Sequence, residues 1–356
     1  MSREISVLIV DDSAFMRKSL SIMLESDPEI SIIGTARNGK EGFELALKLH
    51  PDLITLDIEM PVMDGLTALK KIMSDCPTSV IMVSSLTSEG ADSTIKAMEL
   101  GAVDFIPKEL SFISMNITKM KEDLIHKVKE ITRQKILRER LNKVRAFGEN
   151  RSAVPRIARI NQDFPKHIYR AVALGISTGG PLTLQKILPV LSDKITIPIF
   201  IVQHMPPKFT KSLAERLDGL SKLEVKEAEE GERVRGGVIY IAPGGSHLKL
   251  KSLSDKSVAI NVTSEPSDTL HRPSVDVMLS SVLEVYGKQT LGVIMTGMGK
   301  DGYEGIKALK GLGGYSIAQD EESCVVYGMP KAIVDGGLAD QILPVERIPE
   351  IINKVV

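Results

Sequence analysis

Three observations predict an α/β chain built as two doubly wound parallel-sheet domains in tandem. Short apolar runs alternate with helical patterns over residues 1–110. An apolar stripe at three- and four-residue steps begins at Ile117, and a second strand–helix alternation begins at Ala171. Repeated βα units make a parallel sheet with helices on both faces. The stripe between them marks a connecting helix.

In the first series the strands are expected at 6–10, 30–36, 53–56, 80–84 and 104–106. Helical patterns fill the gaps, for example at 15–25 and 39–48. Ile117, Met120, Leu124, Val128 and Ile131 then line one helix face, and the pattern continues through Leu137, Leu141 and Val144. The other faces are basic, carrying Lys119, Lys121, Lys127, Lys129, Arg133, Lys135, Arg138, Arg140, Lys143 and Arg145. Glu122, Asp123, Glu130 and Glu139 partly offset them. Such a helix is either a solvated connector or a docking face for an acidic partner. Residues 147–165 are poor in pattern and read as linker. The second series places strands at 171–175, 197–203, 223–227, 238–242, 258–262 and 291–295, with helices at 181–191, 209–220, 275–286 and 302–312. The resulting domains are 1–125, a helical linker at 126–165, and 166–356.

Composition narrows the function. A formal net charge of −1, no Trp and 4 % aromatic residues argue against a nucleic-acid platform. No basic recognition helix follows the linker, which sets aside a DNA-binding output. Cys76 and Cys324 have no metal-like neighbours and read as buried reduced thiols. The amino terminus enters a strand pattern at once, and no apolar run approaches the roughly 20 residues needed to span a bilayer. A cytoplasmic chain with no direct membrane insertion is expected.

The chemistry sits at the ends of the expected strands. Asp11 and Asp12 follow the first strand and Asp57 follows the third, so all of them share the carboxyl edge of one sheet. Crowded carboxylates call for a hard cation such as Mg²⁺. Ser84 and Lys108 end two further strands and are able to grip a phosphoryl group on a carboxylate. In the second series, Gly175-Ile176-Ser177-Thr178-Gly179 is a G-x-S-x-G elbow that lifts a serine hydroxyl above the sheet edge. A serine nucleophile needs an imidazole base, and the base needs an orienting carboxylate. Spacing alone leaves His204, His247 and His271 all open as the base. Asp301 fits the acid, and equally fits a residue placed for a helix start.

The segments Val-Asp-Asp-Ser-Ala-Phe-Met-Arg (10–17), Leu-Asp-Ile-Glu-Met-Pro-Val-Met-Asp-Gly (56–65), Val-Ser-Ser-Leu-Thr (83–87) and Gly-Ala-Val-Asp-Phe-Ile-Pro-Lys (101–108) carry a resemblance. Over residues 1–125 the chain resembles a two-component receiver domain of flavodoxin-like fold. The resemblance implies that Asp57 accepts phosphate from a chemotaxis histidine kinase. It implies that Asp11, Asp12 and Asp57 hold Mg²⁺ with the backbone carbonyl of Glu59. Ser84 and Lys108 would sense the phosphoryl group, and Phe105 would be the aromatic that repositions. One departure stands out: the family's proline after the lysine is replaced by Glu109, and Pro107 precedes it. A cis bond before a non-proline residue costs about 3 kcal/mol, so this bond is expected to be trans.

Ordinary α/β-hydrolases order the triad Ser, acid, His; here a histidine just past a strand precedes the acid. Gly-Ile-Ser-Thr-Gly-Gly, Gln-His-Met-Pro-Pro-Lys-Phe-Thr, Tyr-Ile-Ala-Pro-Gly-Gly-Ser-His-Leu, His-Arg-Pro-Ser-Val-Asp-Val-Met and Met-Thr-Gly-Met-Gly-Lys-Asp-Gly stand in that sequence between 175 and 302. This section resembles the catalytic domain of the chemotaxis receptor-glutamate methylesterases, a Rossmann-like serine esterase. The resemblance implies Ser177 as nucleophile, His204 as base and Asp301 as orienting acid. It places oxyanion donors at the backbone N–H groups of Thr178 and Met298, and His247, His271 and Arg272 near the cleft as candidates for substrate binding. It implies hydrolysis of glutamate γ-methyl esters on methylated chemoreceptors, release of methanol, deamidation of particular glutamines, and no cofactor for the esterase step. An unphosphorylated receiver would cover the cleft. The rival readings are a receiver-controlled docking module, and the same esterase acting on an ester or amide outside chemotaxis.

Overall fold

The computed structural model describes residues 4–108, 114–147 and 169–355. The Lys108–Glu109 bond, residues 148–165 of the expected linker and residues 166–168 lie outside the described residues. The chain divides into two compact units, one ending at Glu139 and the other starting at Arg140.

The first unit alternates β1 (Ile5–Val10), α1 (Ala14–Leu24), β2 (Ile30–Ala36), α2 (Gly39–Leu49), β3 (Leu53–Asp57), α3 (Gly65–Asp75), β4 (Ser79–Ser84), α4 (Ser88–Glu99) and β5 (Asp104–Pro107). Helix α5 (Ser114–Phe147) follows. The sheet has five parallel strands in the order β2-β1-β3-β4-β5. β3 is buried along its whole length, as a strand covered on both faces should be. Helix starts are set by side chains that accept backbone N–H groups: Ser13 from Met16, Asn38 from Glu41, Asp64 from Thr67 and Thr87 from Gly90. On α5, Leu124, Val128 and Ile131 are buried, whereas Leu137 is half-buried and Leu141 exposed. Among the described side chains the stripe is therefore buried from Leu124 to Ile131 and opens at Leu137 and Leu141, while Ile117 and Val144 lie outside the described side chains. Chain order reverses between β1 and β3, which opens a crevice at their carboxyl ends.

The second unit runs β6 (Ala171–Ile176), α6 (Gly180–Ile187), β7 (Ile199–Gln203), α7 (Phe209–Asp218), β8 (Glu224–Glu227), β9 (Val238–Ile241), β10 (His247–Ser252), β11 (Val258–Thr263), α8 (Val275–Tyr286), β12 (Thr290–Ile294), α9 (Tyr303–Gly311), β13 (Tyr315–Gln319), α10 (Met329–Asp335), β14 (Gln341–Leu343) and α11 (Arg347–Val355). Seven parallel strands lie in the order β14-β13-β12-β6-β7-β9-β8. β6 is central and comes first in the chain, so later strands add on both sides of it. That is the switch point at which an open α/β sheet forms its crevice. Phe200, Tyr240 and Tyr286 anchor the core on one face, with the Phe200 and Tyr240 rings 5.7 Å apart.

The predicted α/β class with two doubly wound parallel sheets holds. One strand assignment is corrected. The stretch expected at 258–262 does not join the parallel sheet; β11 pairs antiparallel with β10 as a separate hairpin. Cys324 is buried as expected, but Cys76 is half-buried at the carboxyl end of α3. Among the described residues, no helix is long and apolar enough to cross a membrane.

Candidate functional site

In the first unit, the reversal between β1 and β3 brings Asp11, Asp12 and Asp57 together, with one ligand atom of each within 4.8 Å of the others. Asp11 and Asp57 are buried and Asp12 is exposed. Lys108 Nζ lies 2.6 Å from Asp57 Oδ2 and 3.7 Å from Asp11 Oδ2. Burial pushes the Asp57 carboxyl up to about 6 against the pull of Lys108, and the Asp11 charge adds to the rise. Burial also raises Asp11. Burial disfavours the Lys108 ammonium, yet its hydrogen bond to Asp57 and the charges of Asp57, Asp11 and Asp12 hold its pKa above the ordinary lysine value. The pocket therefore fits a divalent cation: Asp11 Oδ2 is buried and has no hydrogen-bond partner among the described residues, and every candidate ligand atom is an oxygen.

The remaining residues of that pocket are held in specific ways. Glu59 N–H donates to Asp57 Oδ1 over 3.3 Å, which turns the loop after β3 around the acceptor. The Ser84 hydroxyl donates to Gly90 O at 3.1 Å and accepts from Thr94 Oγ1 at 2.8 Å, so it is engaged by α4. Phe105 is buried on β5, and its carbonyl accepts from Lys127 Nζ of α5 at 3.1 Å.

In the second unit, Ile176 and Gln203 are register partners at the ends of β6 and β7. Ser177 and His204 therefore leave neighbouring strands side by side. The loop after β12 presses against the elbow. A Cβ on Gly297 would come within 2.8 Å of Ser177 Cβ, so only glycine permits this approach. That loop carries Asp301, whose Oδ2 stands 2.8 Å from His204 Nε2. A carboxylate only accepts, so Nε2 bears the proton and Nδ1 presents a lone pair. His204 Nδ1 is buried and has no hydrogen-bond partner among the described residues.

Asp301 is heavily supported. It also accepts from Val275 N–H at 2.7 Å, Asp276 N–H at 3.0 Å and Ser274 Oγ at 2.9 Å. These are the first turn of α8 and its capping residue, so the positive end of that helix faces the carboxylate. Burial works to raise Asp301, but the His204 contact and the α8 N–H groups hold it well below the ordinary carboxylate range. Asp276 in turn accepts from Gly305 N–H in the first turn of α9 at 2.8 Å. Its own carboxyl is raised by burial and by the charge of Asp301.

The three candidates around the cleft separate. His271 is half-buried and stacks on His204, with centroids 4.3 Å apart and planes at 19°. His247 is fully buried: Nδ1 accepts from Ser274 N–H at 3.2 Å, and Nε2 lies 3.1 Å from Pro266 O and 3.2 Å from Thr269 Oγ1. Both of its ring nitrogens are engaged in holding the 266–274 loop, which leaves neither for a substrate. Arg272 is half-buried, and its guanidinium donates to Ser267 O at 3.1 Å in an exposed hydrogen bond. The backbone N–H groups of Thr178 and Met298 have no partner among the described residues. Sequence reasoning missed Ser274 and Gln203, although both lie in motifs it had singled out. A serine directly before an apolar helical pattern was the available signal for Ser274.

The CheB methylesterase family matches residues 172–352, and the response regulator receiver domain matches residues 7–117. A protein-glutamate methylesterase/protein-glutamine glutaminase of Oleidesulfovibrio alaskensis is 48 % identical over 370 residues, covering 99 % of both chains. One from Pyrococcus horikoshii is 46 % identical over all of this chain and 95 % of its own. The crystal structure of the Thermotoga maritima CheB methylesterase catalytic domain is 48 % identical, with a TM-score of 0.51, over 53 % of this chain and 99 % of that one. Shared family, full-length likeness and fold together show that this chain belongs to the CheB methylesterase family, with a response-regulator receiver domain ahead of its methylesterase domain.

Proposed function

We propose that the chain is a phosphorylation-regulated protein-glutamate methylesterase. It hydrolyses glutamate γ-methyl esters on chemoreceptors to glutamate and methanol, and deamidates particular receptor glutamines. The observation that carries this reading is the state of His204: one ring nitrogen sits on Asp301 and the other is buried with no hydrogen-bond partner among the described residues, beside the strand end that delivers Ser177. In this reading His204 Nδ1 takes the Ser177 proton as Oγ attacks the ester carbonyl. Thr178 and Met298 N–H groups receive the developing oxyanion, and each such donor is worth roughly 3 kcal/mol. As the ester C–O bond breaks, the imidazolium, steadied by Asp301, gives its proton to the departing methoxide, which leaves as methanol. Water, deprotonated by His204, then clears the glutamyl-serine ester. His271 and Arg272 border the cleft on the substrate side.

The catalytic domain is taken as 166–356, joined to a receiver at 1–125 by the helical linker 126–165. A chemotaxis histidine kinase supplies the phosphoryl group to Asp57. Mg²⁺, when bound, neutralises the carboxylates and the phosphoryl oxygens; Asp11, Asp12, Asp57 and the Glu59 carbonyl would hold it. Lys108 stands ready for the same oxygens, and Ser84 must leave its α4 partners to join it, with Phe105 following. The place of action is the cytoplasm, where the receptors present their modified glutamates.

The test is methanol release from methylated receptor membranes. Ser177→Ala should abolish release while the protein still sediments with the membranes. Undiminished release from that variant would sink the esterase assignment, and a parent chain that sediments with the membranes but releases no methanol would favour a docking module.

A further inference from the structure

One buried amide bridges the backbones of the proposed nucleophile and base. Gln203 ends β7 and is 2 % exposed. Its Nε2 stands 3.1 Å from Ser177 O and 3.3 Å from His204 O. Both oxygens only accept, so the atom between them is the amide nitrogen, and its two hydrogens serve one carbonyl each. The ladder between β6 and β7 ends here, with His204 N–H donating to Ile176 O at 3.3 Å. Beyond that point Ser177 turns into the elbow and His204 into a loop. The Gln203 side chain is the tie that remains where the two chains part.

The other half of the amide sharpens the case. Gln203 Oε1 is buried and has no hydrogen-bond partner among the described residues. It fills the space a side chain at 180 would need, since a Cβ there would lie 1.8 Å away. A buried acceptor left without a donor is destabilising, and such a group calls for an explanation. An apolar residue of the same shape would avoid the penalty. The half of this amide that is satisfied points only at Ser177 and His204.

We infer that Gln203 is a positioning residue for the ester hydrolysis, locking the backbone of Ser177 to that of His204 so that hydroxyl and imidazole stay aligned for proton transfer. The inference rests on reading Ser177 as nucleophile and His204 as base. Small misplacements of reacting groups are expensive in rate, so the effect belongs in turnover and not in receptor affinity.

The experiment measures methanol release from methylated receptor membranes by the full chain and by Ser177→Ala, Gln203→Met and Gln203→Glu. Gln203→Met removes both donors at similar volume. It should lower kcat by ten- to a hundred-fold with KM within two-fold, and its melting temperature should not fall. Gln203→Glu supplies a second test. Ionised, it sets an acceptor against two carbonyls; protonated, it donates to one of them, and burial favours the protonated form. Its kcat relative to the parent should rise several-fold as pH falls from 8.5 to 6, while the Gln203→Met ratio stays flat. A Gln203→Met kcat within two-fold of the parent, or a loss confined to KM, overturns the inference. So does a flat Gln203→Glu ratio, which decides the matter alone if Gln203→Met does not fold. Turnover by Ser177→Ala would instead overturn the underlying reading of the site.

Discussion

Asp57 shows what burial does to a single carboxylate. The folded chain holds its proton up to about pH 6, whereas an unfolded aspartate releases it near pH 4. Between those values the folded state binds more protons than the unfolded one, so stability falls as pH rises through the window. Asp57→Asn removes the buried charge. Its melting temperature should exceed the parent's at pH 7, and the gap should close toward pH 4. A gap of about two pKa units corresponds to at most about 3 kcal/mol. Melting curves between pH 4 and 7, without divalent cations, check the slope; parallel curves would refute it. Asp301 is the opposite case, a buried carboxylate kept ionised by His204 and by the α8 N–H groups. Asp301→Asn would offer His204 Nε2 a competing donor and lose the tautomer that frees Nδ1. A fall in kcat on the order of 10³–10⁴ is expected by analogy with other serine triads, measurable as methanol release with the fold checked by circular dichroism.

At the scale of elements, the site is made where strands end and helices begin. The elbow needs Gly180 as the first residue of α6 because the Gln203 amide occupies the space beside it. Gly180→Ala should push that amide or the start of α6 aside. A loss of about 1–3 kcal/mol is expected from such overpacking, together with a larger fractional loss of turnover than the stability change explains. Urea unfolding and methanol release on the same preparation compare the two. The same scale shows what the sequence made legible. β3 and β6 are unbroken buried runs, and such strands stand out as apolar blocks between turns. Asp11, Asp57 and Ser177 stand out because each directly follows such a block, whereas spacing alone leaves His204, His247 and His271 open as the base, and the choice of His204 and Asp301 comes from the family resemblance. β10 was missed even though His-Leu-Lys-Leu-Lys-Ser alternates as a half-buried strand does; its partner β11 was read alone and assigned to the neighbouring parallel sheet. β13 and β14 are short and carry polar residues that are buried only by their neighbours. The engagement of His247 on both nitrogens, and of Ser84 by α4, depends on contacts that no spacing encodes.

At the scale of the whole molecule, one chain carries an acidic pocket in its first unit, the proposed phospho-acceptor site, and the His204–Asp301 pair of the proposed esterase site in its second. Phosphorylation changes esterase rate only if the phosphoryl group favours one arrangement of the chain over another. The required preference is modest, since about 1.4 kcal/mol shifts a two-state population ratio ten-fold. The pocket contains the parts for such a bias. Lys108 is now spent on Asp57 and the Ser84 hydroxyl on α4; a phosphoryl group on Asp57 would draw both toward itself, and the β5–α5 tie through Phe105 and Lys127 lies alongside. Two variants separate this gating from a direct effect on chemistry. With a small phosphodonor and Mg²⁺, the parent chain should release methanol faster, and Asp57→Asn should keep the basal rate without stimulation. Lys108→Ala should still accept phosphate, traced with a labelled donor, yet show little stimulation, because the charge that couples the phosphoryl group to the fold is gone. Chelating Mg²⁺ should erase the stimulation of the parent and leave its basal rate unchanged. Equal stimulation of the parent and Asp57→Asn would mean that the phosphodonor acts elsewhere, and control by the receiver would fall.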